Sequence, residues 1–125
     1  MLTLGVILLA TLIASFSDWL CMDVMIHRFY ASAPELWRPR GGTARILVSQ
    51  AIGTMATAAA VLLAEQAPGR PFLVAGAVWA SGPLPVTLQN LQWMKLHPAI
   101  AASHAAGWLA RLVIATVLAG WLLPR

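Results

Sequence analysis

Asp18 and Arg111 are ionisable residues placed where ionisable residues are expensive. Asp18 follows a long charge-free apolar run, and Arg111 is the single charge near the middle of another. A charge inside a membrane span is a candidate site by default, because hydrocarbon cannot solvate it. Two opposite charges on different helices relieve each other if their depths match. With the first helix running toward a membrane face and the last running away from it, Asp18 lies roughly 12 Å deep and Arg111 roughly 20 Å deep at the α-helical rise. Side chains lean toward a helix N-terminus, so the long Arg111 side chain reaches back toward Asp18. The expectation is an Asp18–Arg111 intramembrane polar pair. It would serve either as a structural pair that fixes helix register or as a titrating site in transport.

A second group has ligand chemistry. Asp23 and His27 are four residues apart, and His97 and His104 are seven apart. Each spacing shares a helix face, and all four residues fall toward the same membrane side. Imidazole and carboxylate are ordinary metal ligands, and paired histidines can hold haem iron. The polar or ligand cluster Asp23, His27, His97, His104 is therefore carried forward. The sequence has no His-x-x-His or cysteine-rich spacing to strengthen it, and no cofactor is assigned. No catalytic residue is assigned either, so the chain leans away from an enzyme. No serine sits in Gly-x-Ser-x-Gly, and Arg40-Gly41-Gly42-Thr43 lacks the length and lysine of a phosphate loop. Cys21 is the only cysteine, which rules out an internal disulfide; it reads as a small buried side chain.

The elements that position these residues follow from composition. Of the 125 residues, 60% are hydrophobic and 10% charged, against about 25% charged in soluble domains. Such a chain has too little polar surface to cover itself in water. The net charge of +4 comes from basic residues between apolar runs, which membrane topology explains without nucleic acid. Four segments have the length of a span, about 20 apolar residues each. They are helices at approximately 2–25, 46–64, 72–94 and 98–123, in one domain, with a polar loop at 27–43. Inside a bilayer the backbone must satisfy its own hydrogen bonds, so the fold class is all-α, a four-helix transmembrane bundle. The first segment lacks the basic start of a signal peptide and reads as a retained helix.

The third segment contains Ser81-Gly82-Pro83-Leu84-Pro85. Its prolines remove two backbone donors, which predicts a helix break at Gly82, Pro83 and Pro85. Interrupted helices occur in transporters and, as simple kinks, in structural bundles. Small residues at four-residue spacing predict helix seams: Ser49, Gly53, Thr57 in the second helix, and Ala99, Ser103, Gly107, Ala115, Ala119 around Arg111 in the fourth. Arg28, Arg38, Arg40, Arg45 and Lys95 flank one side, and Arg70 and Arg125 the other. Five against two places loops one and three in the cytoplasm and both termini outside it. Trp19, Trp37, Trp93 and Trp121 sit at segment ends as interfacial anchors, whereas Trp79 and Trp108 lie deeper and pack.

Two stretches carry a resemblance. The first is Phe16-Ser17-Asp18-Trp19-Leu20, then His27, Tyr30 and Pro34-Glu35-Leu36-Trp37-Arg38. The second is Lys95-Leu96-His97-Pro98, then Ser103-His104-Ala105-Ala106-Gly107-Trp108-Leu109-Ala110-Arg111. In that order they resemble the small bacterial multi-pass membrane proteins of the domain of unknown function 1761 family. The resemblance implies a short four-helix protein of the bacterial inner membrane without an established activity. It draws attention to Asp18, Trp19, His27, Trp37, Lys95, His97, His104, Trp108 and Arg111. Asp23 departs from it, since a small residue is expected there. The leading expectation is a non-enzymatic integral membrane protein with a structural, lipid-interacting or partner-binding role. Its partners would be the lipid bilayer and either a second copy of itself or a membrane protein. The alternatives are a small proton-coupled transporter and a membrane haem or metal protein.

Overall fold

The computed structural model describes residues 1–27, 43–94 and 97–124, with the side chains of Met22, Asp23, Met25 and Arg45 outside the described set. The polar loop between His27 and Thr43, and Lys95, therefore lie outside the described residues. Every regular element of the described chain is a helix, and no strand occurs among the described residues. Helix α1 spans Leu2–Trp19 and continues as a π-helical segment, Leu20–Met25. Helix α2 spans Thr43–Gln66. The third span is divided into α3, Pro71–Ser81, and α4, Pro83–Trp93. Helix α5 spans Pro98–Leu122. The four spans are long and apolar enough to cross a membrane, and the protein is an all-α, multi-pass bundle.

Local sequence explains the helix boundaries. Proline is tolerated in a first helical turn, where its missing N–H has no intrahelical partner. Pro71, Pro83 and Pro98 each open a helix in this way. Gly82 separates α3 from α4 with φ −128° and ψ −83°, outside the helical range. Its N–H still donates to the Val78 carbonyl at 3.2 Å, and its carbonyl accepts from Val86 at 3.2 Å. The break is thus sharp but leaves both flanking turns hydrogen-bonded. His97 caps α5: its Nδ1 accepts the Ala99 N–H at 3.1 Å. The first span differs from one continuous α-helix. After Trp19 the turns widen, and the Ile26 N–H reaches back five residues to the Cys21 carbonyl at 3.1 Å.

Helix α5 is the hub. It packs against α1, α2, α3 and α4, while α1 makes no close backbone contact with α3 or α4. The sequence allows this because the buried face of α5 is mostly small: Ala101, Ser103, Ala105, Ala115, Thr116 and Ala119. Facing them are Ala10, Ala60, Ala64 and Ala75, with Val6, Val61 and Leu112 filling the spaces between. Lipid tails are as apolar as any core, so close backbone approach rather than hydrophobic exclusion holds such helices together. The hydroxyls of the buried Thr57, Ser103 and Thr116 turn back on their own helices; Thr57 donates to the Gly53 carbonyl at 2.8 Å. The large side chains point outward, including Leu12, Phe16, Leu47, Met55, Phe72 and Trp93, as a lipid-facing exterior requires. One inward exception joins two spans: the Trp79 indole N–H donates to the Ala105 carbonyl at 2.8 Å.

Candidate functional site

The seam rows of α2 and α5 determine what can occupy the middle of the bundle. On α5, Gly107 and Arg111 are one turn apart; on α2, Gly53 and Thr57 are likewise. The Arg111 side chain lies across the gap that Gly53 leaves. A Cβ built on Gly53 would stand 3.0 Å from Nη1, 3.1 Å from Cζ and 3.2 Å from Nη2 of Arg111. Only a glycine admits the guanidinium so close to the α2 backbone. In that position Nη1 donates to the Gly53 carbonyl and to Thr57 Oγ1, each at 3.1 Å. Nη2 donates to Asp18 Oδ2 of α1, which forms the ion pair. The Trp108 ring lies one turn away on α5, with its centroid 6.0 Å from Cζ, at the outer limit of a cation–π contact. A buried cation is tolerable only when its donors are met and its charge is balanced. Here the carbonyl and the hydroxyl take both Nη1 hydrogens, and the carboxylate takes one from Nη2 and balances the charge.

The pair is asymmetric in exposure. Arg111 is 6% exposed, whereas the Asp18 side chain is 36% exposed. Helical backbone continues seven residues beyond Asp18, to Met25, while the apolar stretch of spanning length ends at Trp19. The second oxygen, Oδ1, lies over Gly107, 3.6 Å from where a Cβ would stand. No hydrogen bond from a described residue reaches it.

Asp18 and Arg111 form the inner end of a half-open cavity of about 600 Å³ between α1, α2 and α5. Ala44, Val48, Ser49 and Ile52 line its α2 side, and Ser103, His104, Gly107 and Trp108 its α5 side. His104 stands near enough to Asp18 to feel its charge. No residue of α3 or α4 lines this cavity. The break at Gly82, Pro83 and Pro85 is therefore apart from the ionisable residues, and it shapes the third span rather than the site. A smaller cavity of about 380 Å³ lies at the opposite end of the bundle, bounded by Thr3, Glu65, Gly120 and Leu123.

The expected cluster of Asp23, His27, His97 and His104 can be followed only at its three histidines. His27, His97 and His104 do not gather as a metal-holding group, and no other group of three His, Cys, Asp or Glu does so among the described residues. His97 sits before the first turn of α5 and His104 seven residues later. The helical rise separates them by about 10 Å, so sharing a face does not bring them to one ion. His27 is exposed at the end of the first span. The side chain of Asp23 lies outside the described residues. Sequence reasoning named Gly53 and Thr57 as seam residues but missed them as partners of Arg111. The available signal was their four-residue row facing that of Gly107 and Arg111, since intramembrane charges also pair with backbone carbonyls. No protein-family model, characterised protein or solved structure matches this chain, so the family resemblance rests on the residues quoted above.

Proposed function

We propose that this chain is a non-enzymatic integral protein of the bacterial inner membrane, in which the Asp18–Arg111 pair locks three helices into one arrangement. One observation carries this reading: every described polar contact of the Arg111 guanidinium is made inside the bundle, to Gly53, Thr57 and Asp18. A cation so engaged holds helices in register. The surrounding bilayer is its principal partner, through the large apolar side chains that cover the outside. A second copy or another membrane protein would meet the same exterior. The termini face away from the cytoplasm, by the basic residues of the loops. Membership of the domain of unknown function 1761 family is part of the proposal and rests on the quoted stretches.

The test is a double-mutant cycle on Asp18→Asn and Arg111→Met, with unfolding measured in bicelles. The expected coupling is about 1–3 kcal/mol, the range of contacting residues. A coupling near zero would show that the two residues hold the bundle independently, and the proposed role would fall. A transport reading has one observation in its favour, the cavity that reaches from the bundle end to Arg111. It predicts pH-gradient-dependent flux in reconstituted vesicles, and an absence of flux over a broad substrate panel counts against it.

A further inference from the structure

The cavity above the ion pair has the properties of a binding site, and its chemistry narrows the ligand. Its volume of about 600 Å³ lies within the roughly 300–1,000 Å³ of small-molecule sites. Val48 and Ile52 line it and are also 60% and 55% exposed on the lipid-facing side of α2. An occupant thus has access from hydrocarbon, along an apolar wall. At the inner end the groups are polar. Asp18 Oδ1 accepts no hydrogen bond from a described residue, and Ser49 and His104 stand on the flanking walls.

Charge decides which headgroup suits this end. The titratable residues among the described lining are Asp18 and Arg111, which neutralise each other, and His104. Arg111 is nearly buried behind the more exposed carboxylate of Asp18. A phosphate headgroup would have to displace that carboxylate, of its own charge sign, to take its place on the guanidinium. An ammonium headgroup would compete with Arg111 for Asp18. A neutral hydroxyl needs neither exchange. It donates to Asp18 Oδ1 while its hydrocarbon lies along Val48 and Ile52.

We propose that this cavity binds a neutral amphiphile with a hydroxyl headgroup, hydroxyl end inward at Asp18 and tail toward the lipid. The inference goes beyond the locking role, and its test leaves the pair intact. The probe is dioleoylglycerol, offered with equimolar dioleoyl phosphatidic acid to the full chain, with retained adducts counted by native mass spectrometry. Dioleoylglycerol should be retained over phosphatidic acid by about tenfold, or 1.4 kcal/mol. Ile52→Trp fills the cavity from an exposed position and should reduce dioleoylglycerol retention by a similar factor. Val48→Trp serves as the second filling variant if Ile52→Trp fails to fold. Equal or preferential retention of phosphatidic acid overturns the headgroup assignment. Dioleoylglycerol retention unchanged in a folded filling variant overturns the location. A locking pair that fails the double-mutant cycle while the filling variants still lose the adduct would leave this inference standing alone.

Discussion

Replacing Gly53 with alanine should reverse sign with the identity of residue 111. Gly→Ala in a helix interior is ordinarily favourable by about 1 kcal/mol, because alanine loses less backbone entropy. At Gly53 the new methyl would stand 3.0–3.2 Å from three guanidinium atoms, closer than carbon packs comfortably. The guanidinium cannot simply swing aside. Its Nη1 is tied to the carbonyl of that same residue and to Thr57 on the next turn, and its Nη2 is tied to Asp18. Forcing extra volume into such a site costs about 1–3 kcal/mol. Set against the helix gain of about 1 kcal/mol, the substitution should lower stability by up to about 2 kcal/mol. In an Arg111→Met background the steric opponent becomes a flexible apolar side chain. There Gly53→Ala should be neutral or stabilising by up to about 1 kcal/mol. Unfolding free energies of the four proteins in bicelles give the coupling directly, and about 1–3 kcal/mol is expected. Equal effects of Gly53→Ala in both backgrounds would refute the close approach of Arg111 to α2, and with it the geometry of the site.

Two further outcomes follow from other parts of the molecule. Trp79→Phe keeps an aromatic ring but removes the donor to the Ala105 carbonyl, and should cost about 0.6 kcal/mol, the average for membrane hydrogen bonds; a loss above about 2 kcal/mol would mean that the ring's packing was misjudged. Cysteine introduced at Thr3 or at Leu123, in a Cys21→Ser background, should react with an impermeant thiol reagent added outside intact cells; labelling only after lysis would invert the orientation.

Several elements were legible in the sequence because they depend on local chemistry. Four apolar runs of spanning length oblige four helices, since the bilayer leaves the backbone no other partner. The prolines around Gly82 mark the break in the third span for the same local reason: they lack donors. The cost of a charge in hydrocarbon is also local, so Asp18 and Arg111 were recognisable as residues in need of a partner. Two dispositions were not legible. The histidine spacing suggested convergence, but periodicity reports a shared face and not a shared point; the seven residues from His97 to His104 hold them a helical turn and more apart. The turn beyond Trp19 reads as α-helix in sequence and is π-helical in the structure.

The sequence by itself determined the fold class, the span count and which residues are too polar for lipid, because each of these follows from the free energy of single groups in hydrocarbon. Only the tertiary structure decided that α5 is the hub, that Gly53 and Thr57 complete the shell of Arg111, and that the cavity opens beside α2 while the broken third span stands apart. Those outcomes depend on the rotation of each helix about its own axis. That rotation is set by the fit of small residues from different spans against one another.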